Sequence, residues 1–424
     1  AQAAFPEERL SDLVDLLLAA PDDAEAAIGL EAAIEQGADP RRVAEAFESA
    51  AGGVDGAAED GLEVRKSLLY RAARIFDVGV KDRDKAETIY AQLVALDPTD
   101  EIALIALDEV RKALGKHAEI VESLMVRSEQ EPPGEERARI FAEIGRICAT
   151  ELDDPEQGIL AYTRALCEAP ATRELGEEIE RLAGNKAPLW NEVLTTVTEG
   201  IQAESLSSTE RNVLLGYAGR WYEQKLGRAD MGLHAYQQIL STDPANEEAY
   251  EGLTGIYRKA QQWPEVVGVL VARADVSGSS PRARDLRAEA AELFEQKLND
   301  GPRAKEIFAQ VLADDPGHVK ASEGMARIAE RTGDFKSLVV VLERRAESRR
   351  GREKADALLR VAEVYEDQLE DLTEATRRYE AVLAIDGHDV QALKGLDRIF
   401  NRTGKYRELL ENLERQVAIA ATPR

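Results

Sequence analysis

Cysteine is nearly absent from this sequence, with only Cys148 and Cys167 among 424 residues. Two cysteines cannot build a disulfide framework, and neither lies in a CxxC motif of the kind used for metal binding or redox chemistry. They fall on two antiparallel predicted helices with an axial offset of about 13 Å, so we expect no bond between them. We interpret both as small apolar packing residues, which favours a reducing compartment, the cytoplasm over the periplasm or the exterior.

Aromatic residues and positive charge are also scarce. Aromatics make up 5% of the chain, and no apolar run approaches the roughly 20 residues that a membrane-spanning helix requires. We therefore expect no direct membrane insertion. There are 54 Lys and Arg residues and 81 Asp and Glu residues, which gives a formal net charge of −27. This charge opposes binding to nucleic acid phosphates, and it either favours a basic or neutral protein partner or simply keeps a large surface soluble.

The motifs of the common enzyme classes are missing. There is no GxxxxGK[ST] phosphate loop, no HExxH metal motif and no GxSxG nucleophile elbow. The four histidines lie far apart in sequence, at His117, His234, His318 and His388. We interpret His318 and His388 as solvated turn residues. The sequence thus predicts no catalytic residue, no metal site and no cofactor.

A regularly spaced turn is the strongest positive feature. Its anchors are Pro98, Pro170, Pro244, Pro316 and Gly387, which are 72, 74, 72 and 71 residues apart. A weaker copy ends at Pro21, and the Gly-rich stretch 51–61 is predicted to form a loop that absorbs the longer first spacing. Such a spacing indicates an internal repeat.

Small and aromatic residues recur at fixed distances before each anchor. An aromatic stands eight residues before it, at Tyr90, Tyr162, Tyr236, Phe308 and Tyr379. The helix before that one carries small residues at Ala73, Gly145, Gly219, Ala291 and Ala362. Three positions later come Phe76, Cys148, Tyr222, Phe294 and Tyr365. Residues at i, i+4 and i+7 share one helical stripe, so the pattern predicts two helices that pack antiparallel. Tyr222 is then predicted to lie in the core, and the adjacent Trp221 is predicted to point away from that stripe.

This order of residues resembles the tetratricopeptide repeat (TPR) family. The unit of this family has a large residue, a Leu-small pair and an aromatic on its first helix, then small, aromatic and small positions and a turn proline on and after its second helix. The matching residues, in this order, are Leu215, Ala218, Gly219, Tyr222, Gly232, Tyr236, Ile239 and Pro244. The resemblance implies an all-α fold, a right-handed α-solenoid superhelix of antiparallel helix pairs. The other half of each period looks like a degenerate TPR whose first helix ends at a glycine, as at Gly115, Gly184, Gly333 and Gly404.

We expect one continuous solenoid over residues 1–424, with about eleven helix pairs. The predicted double-repeat units are 22–98, 99–170, 171–244, 245–316 and 317–387, followed by a half unit at 388–421. The chain opens at Ala1 rather than Met, and its last predicted helix, 405–421, is apolar without a polar cap. We therefore expect a longer native array or a partner that covers this end, and self-association through the solenoid ends is a further prediction.

The resemblance implies a concave groove lined by the first helix of each pair. The positions that follow the small residues are Arg74, Arg146, Arg220, Glu292 and Glu363. We expect the arginines to bind an acidic or C-terminal carboxylate, since guanidinium pairs with carboxylate in a bidentate manner, and the glutamates to prefer a basic ligand. The alternative is that the arginines pair with neighbours such as Asp77 and Glu223 and only solubilise the groove.

The leading interpretation is a non-catalytic scaffold that binds a partner protein or peptide. A second is the substrate-recruiting or regulatory region of a larger enzyme or multiprotein machine. RNA binding by a helical repeat is opposed by the net charge. A peptide or sugar platform formed by aromatics is another alternative, with candidates Tyr70, Trp190, Tyr217, Trp221 and Tyr257, although inter-repeat packing is their expected fate.

Overall fold

The computed structural model describes residues 5–55 and 60–421. These residues form 23 α-helices and one π-helical turn, with no strand among them. The helices are α1 (Glu7–Ala19), α2 (Ala24–Glu35), α3 (Pro40–Gly53), α4 (Gly61–Arg74), α5 (Arg83–Leu96), α6 (Glu101–Leu114), α7 (His117–Gln130), α8 (Glu135–Thr150), α9 (Pro155–Glu168), α10 (Arg173–Ala183), α11 (Ala187–Ile201), α12 (Ser208–Leu226), α13 (Ala229–Thr242), α14 (Glu247–Lys259), α15 (Trp263–Val276), α16 (Pro281–Gln296), α17 (Gly301–Asp314), α18 (Val319–Thr332), α19 (Phe335–Glu347), α20 (Gly351–Asp367), α21 (Leu372–Ile385), α22 (Val390–Arg402) and α23 (Tyr406–Ala421). The π-helical turn, Ile75–Val80, directly follows α4. None of the described helices is both long and apolar enough to cross a bilayer.

Local sequence signals set the helix ends. Aspartates cap many N-termini, as Asp100 does when its carboxylate accepts a hydrogen bond from the Ala103 amide at 3.1 Å. Gly115 and Gly333 end α6 and α18 in the left-handed conformation, with φ of 70° and 69°. This conformation favours glycine because it has no Cβ, so the predicted C-caps at Gly115 and Gly333 are confirmed. The predicted loop at 51–61 is wrong for residues 51–53, which complete α3, while residues 56–59 lie outside the described part.

The chain divides into two compact units, one that ends at Arg211 and one that begins at Asn212. In each unit, helices pack mainly against the next helix in sequence, and some also contact the next but one, as α9 contacts α11 and α16 contacts α18. Neighbour-only packing of helix pairs is the arrangement of a helical solenoid. The all-α solenoid fold is therefore confirmed. A single body over 1–424 with the unit boundaries given above stays a prediction.

The recurring aromatics fill spaces that glycines leave open. A Cβ atom at Gly145 of α8 would lie 2.9 Å from the ring of Tyr162 on α9, and one at Gly219 of α12 would lie 2.9 Å from that of Tyr236 on α13. Real Cβ atoms do not approach this closely. The small residue of the first helix and the aromatic of the second helix are therefore in direct contact, which agrees with the predicted packing of the two helices.

The same rings also press against glycines on the following helix. A Cβ atom at Gly252 would overlap the ring of Tyr236, and the same holds for Gly324 with Phe308 and for Gly395 with Tyr379. In the second unit, Tyr236 thus packs into α12 on one side and α14 on the other. This links one helix pair to the next through a single side chain.

The predicted environments of Tyr222 and His318 are wrong, whereas Trp221 is packed inside, as expected. Trp221 is fully buried and its ring centroid lies 5.0 Å from that of Tyr217, whereas Tyr222 is only half-buried. His318 is also buried rather than solvated. Its Nδ1 accepts a hydrogen bond from the Ala321 amide at 3.2 Å and its Nε2 lies 3.1 Å from Asp285. The imidazole replaces the usual aspartate as a helix cap, and its apolar edge is buried.

Candidate binding cleft around Arg74

All five predicted groove residues lie on first helices of the helix pairs. Arg74 ends α4 and Arg146 lies on α8 in the first unit. Arg220, Glu292 and Glu363 lie on α12, α16 and α20 in the second unit. The two sets therefore belong to different units, and each is described within its own.

Arg74 borders an open cleft of about 910 Å³ in the first unit. Residues from α2, α4, α5 and α6 and from the turn before α6 surround it. They are Glu31, Glu63, Lys66, Ser67, Tyr70, Arg71, Arg74, Tyr90, Asp97, Asp100, Ile102 and Ala106. The cleft thus combines charges of both signs with two tyrosines and an exposed isoleucine.

A hydrogen-bonded cluster forms one wall of this cleft. The Lys66 ammonium lies 2.8 Å from an Asp97 carboxylate oxygen and 2.7 Å from one of Asp100. The Tyr70 hydroxyl donates to the other Asp100 oxygen at 2.6 Å. Since Asp100 also caps α6, the cluster fixes the start of α6 against the middle of α4.

The cluster shifts the pKa of each member. Hydrogen bonds to Asp100 and Asp97 raise the pKa of Lys66. Burial and the hydrogen bond to Asp100 raise the pKa of Tyr70. Burial alone would raise the pKa of Asp100, but its hydrogen bonds from Lys66 and Tyr70 outweigh burial and lower that pKa to about 2. All three groups therefore keep their charge states across the physiological range, and this wall is a fixed structural element.

Asp100→Asn is expected to lower the free energy of unfolding by about 1–2 kcal/mol at pH 7, because it removes charged hydrogen bonds. The folded pKa of Asp100 is depressed, so its contribution is present above the unfolded pKa of about 3.9 and is lost as the pH falls through about 2. Urea unfolding of both proteins followed by circular dichroism from pH 7 to pH 2 measures this. Parallel pH profiles would contradict the assigned role.

Arg74 differs from the other cations of the cleft. Arg71 pairs with Glu31 at 2.7 Å, but the Arg74 guanidinium forms no hydrogen bond or ion pair with any residue in the described ranges. It is exposed and stands directly before the π-helical turn. Ile102, 70% exposed, lies in the same cleft. An unpaired cation beside exposed apolar surface suits a ligand that carries both a carboxylate and an apolar group.

The other two arginines already have acidic partners. Arg146 forms a two-point contact with Glu143 at 2.9 and 2.6 Å and lies 3.6 Å from Glu151. Arg220 lies 3.6 Å from Glu248 and stacks over the Tyr217 ring at 4.9 Å. Arg146 and Arg220 therefore follow the alternative prediction that the arginines pair with neighbouring carboxylates. The glutamates that pair with them in these contacts differ from Glu223, which was expected from the sequence.

The expected partners are engaged elsewhere. Asp77 lies 3.4 Å from Arg83, and Glu223 pairs with Lys259. The two groove glutamates are also paired, Glu292 with Arg327 at 3.6 Å and Glu363 with Arg360 at 3.2 Å. Among the five predicted residues, Arg74 is therefore the one whose charge is available without breaking a contact.

The remaining chemistry-bearing residues have structural environments. Both cysteines are free. Burial raises the pKa of the Cys167 thiol to about 12, which opposes formation of a nucleophilic thiolate. Trp190 and Trp221 are fully buried, so neither can serve as an aromatic platform. In the part of the chain that the structure describes, no cluster of His, Cys, Asp and Glu could hold a metal ion.

Sequence reasoning found Arg74 and Tyr70 but missed the wall formed by Lys66, Asp97 and Asp100. A usable signal was present in Asp97-Pro98-Thr99-Asp100, because an aspartate before a helix is a capping residue. The second role of Asp100, as a partner of Lys66 more than thirty residues earlier in the sequence, depends on tertiary packing.

Comparisons with known proteins found similarities to solved structures at low sequence identity. No family model matches the sequence, and no curated protein is significantly similar to it. Similar solved structures include a Naa15/Naa10 complex bound to HypK-THB, at 15% identity and a TM-score of 0.31, covering 98% of this chain and 64% of that one. The C-terminal part of a TPR repeat-containing protein from Cytophaga hutchinsonii has 15% identity and a TM-score of 0.34, with 68% and 97% covered.

A tetratricopeptide repeat protein from Parabacteroides merdae is similar at 16% identity and a TM-score of 0.26, with 62% of this chain and 98% of that chain covered. Of the Naa15/Naa10 structure, the present chain spans 64%, which is less than two thirds of its length. All three TM-scores lie below 0.5. The evidence for the solenoid fold is therefore the packing of the helix pairs and the contacts of their glycines.

Proposed function

We propose that this protein is a non-catalytic interaction scaffold and that the Arg74 cleft binds a segment of a partner protein. The observation that carries the proposal is the exposed, unpaired Arg74 guanidinium in a cleft of about 910 Å³. In a chain with 27 excess negative charges, most cations that face carboxylates pair with them. A cation without such a partner is preorganised for a carboxylate from outside.

The partner segment carries a carboxylate, either an acidic side chain or a C-terminus, next to an apolar residue. The carboxylate binds Arg74 through two parallel hydrogen bonds, and the apolar residue packs on Ile102. Acidic residues such as Glu63 and Glu31 flank the cleft and disfavour ligands with a second negative charge near them. Arg146 and Arg220 contribute in the same way only after they leave Glu143 and Glu248, while Glu292 and Glu363 are proposed to contact basic residues of the partner.

Arg74→Glu is expected to weaken partner binding about tenfold or more, because a charge-assisted hydrogen bond worth about 1.5–3 kcal/mol is replaced by repulsion. Stability should change little, since the side chain is exposed and unpaired. Affinity capture from the native source, with quantitative mass spectrometry, compares wild type, Arg74→Glu and the matched surface reversal Arg173→Glu. Arg173 is exposed on α10, and its one ion pair among the described residues is with Glu177.

A photo-crosslinking amino acid at Ile102 locates the bound segment. The expected result is a crosslink to a protein whose capture is reduced by Arg74→Glu and not by Arg173→Glu. Equal capture by all three proteins, or crosslinks to Ile102 that persist at full yield in the Arg74→Glu background, would rule out the Arg74 cleft as the binding site.

A further inference from the structure

A second cleft lies in the second unit, between the second helices of two successive pairs. It has a volume of about 310 Å³ and is lined by α17, α18 and α19. Its floor is formed by Leu312, Met325 and Val341, and Val340 stands at its edge, 48% exposed. The residues of the proposed groove lie on first helices, so this cleft is a separate surface.

Two cations border this apolar floor. Lys336, Val340 and Arg344 follow one another at intervals of four residues on α19 and so form one stripe. The two cations are about 12 Å apart along the helix, from a rise of 1.5 Å per residue. Both are exposed, and neither side chain forms a hydrogen bond or ion pair with another residue in the described ranges.

Neighbouring arginines of the same helix pair behave differently. Arg345 lies 3.6 Å from Glu323, and Arg327 lies 3.0 Å from Glu295. Lys336 and Arg344, which line the cleft, thus keep their charges without an acidic partner among the described residues. The segment 344–354 also carries six cationic residues against two acidic ones, in a chain whose net charge is −27. Local positive charge on an acidic protein attracts an acidic partner.

We propose that this cleft is a docking site for an acidic amphipathic helix of a partner protein. Two acidic residues, two helical turns apart, pair with Lys336 and Arg344. A large apolar residue midway between them packs on Val340 and enters the cleft above Met325, whose unbranched side chain adapts to such contacts. Helices commonly bind in grooves through residues at these spacings. A single carboxylate could satisfy only one of the two cations.

The three methionines provide a local readout, since only Met325 lies in this cleft and Met125 and Met231 lie on α7 and α13. The probe is a synthetic alanine-rich helical peptide with two glutamates two turns apart and a leucine midway. Titration into protein carrying ¹³C-labelled methionine methyl groups is expected to shift the Met325 resonance saturably and to leave the other two in place. Lys336→Glu/Arg344→Glu is expected to weaken binding about tenfold or more.

The charge requirement is tested by exchange and by a matched control. A peptide with lysines in place of the glutamates should bind the Lys336→Glu/Arg344→Glu protein and not the wild type. Arg352→Glu/Lys354→Glu changes the net charge equally, at residues that do not line the cleft, and should keep the wild-type affinity within about threefold. Equal weakening by both double variants, no shift of Met325, or tighter binding of dodecanedioate or anionic phospholipid vesicles than of the peptide would each overturn the proposal.

Discussion

Phe308→Ala is expected to lower the free energy of unfolding of the second unit by about 3–5 kcal/mol, the range for truncation of a fully buried phenylalanine. Phe308 lies on α17 among Ala291, Val311 and Ile328, with no exposed surface. Its ring also fills the space beside Gly324 on α18. Alanine would leave a cavity at the contact between two helix pairs, because it removes the whole ring.

The opposite change tests the same contact from the glycine side. Gly324→Ala would place a Cβ atom inside the volume of the Phe308 ring, and overpacking of this kind costs about 1–3 kcal/mol. Phe308→Leu creates room for that methyl group. The double variant Phe308→Leu/Gly324→Ala should therefore lose less stability than the sum of the two single variants.

Hydrogen exchange of α16–α18 is the appropriate measurement, since helical repeats need not unfold as one cooperative unit. Tyr406→Ala serves as the control, because Tyr406 is 69% exposed and its truncation should change stability by no more than about 0.5 kcal/mol. Additive effects of the two single substitutions would show that Gly324 and Phe308 do not depend on each other.

Glu366→Ala is expected to have the second largest effect, a loss of about 2–3 kcal/mol. The Glu366 side chain is 6% exposed and accepts hydrogen bonds from Arg398 at 2.8 and 2.7 Å and from the Tyr379 hydroxyl at 2.7 Å. Breaking a fully buried ion pair costs about 3–5 kcal/mol. The expected loss is smaller because the Arg398 side chain is 56% exposed and returns to water, whereas the buried Tyr379 hydroxyl loses its acceptor.

The pH dependence separates the charge of Glu366 from its packing. Burial opposes ionisation, but the hydrogen bonds from Arg398 and Tyr379 outweigh it and lower the pKa of Glu366. Its stabilisation is therefore present above the unfolded pKa of about 4.3 and declines as the pH falls below that value. Urea unfolding of wild type, Glu366→Gln and the exposed control Glu353→Ala measures this, and a stability difference for Glu366→Gln that does not shrink in acid would contradict it.

The sequence predicted the fold through the part of the pattern that lies within one helix pair. The aromatic at Tyr236 and the small residue at Gly219 stand close in sequence, and both were recognised from their spacing. The contact of Tyr236 with Gly252 was missed, although Gly252, Gly324 and Gly395 recur at the repeat spacing. In a sequence, a glycine inside a helix indicates a weak helix former. The three-dimensional packing is needed to show that an aromatic ring occupies the space where a side chain would be.

The ion pairs of three poorly exposed glutamates were missed for a related reason. Glu223, Glu295 and Glu366 recur at the repeat spacing, and each pairs with a cation from the next first helix: Lys259, Arg327 or Arg398. In sequence these carboxylates look like ordinary solvated residues, since charged residues are rarely buried. Their partners lie more than thirty positions away, beyond any local pattern.

The sequence predicted the helices on which the candidate arginines lie, but not which of their guanidinium groups is free to bind a ligand. The spacing that identified Arg74, Arg146 and Arg220 assigned all three to first helices, and they lie on α4, α8 and α12. Whether each guanidinium is already paired depends on nearby residues that do not recur, such as Glu143 and Glu248. Lys336 and Arg344 were overlooked because they lie on second helices, outside the surface that the family resemblance suggests.

The ring of Tyr236 sits between Gly219 of α12 and Gly252 of α14, which belong to different helix pairs. A gene rearrangement that deletes or duplicates one helix pair would separate this ring from one of the two glycines that receive it. A rearrangement that moves the four helices α12–α15 together carries the ring with both. We therefore expect the four-helix segment, rather than a single helix pair, to be the unit that can be moved without loss of this contact, and substitutions at the ring and its two glycines to be tolerated only together.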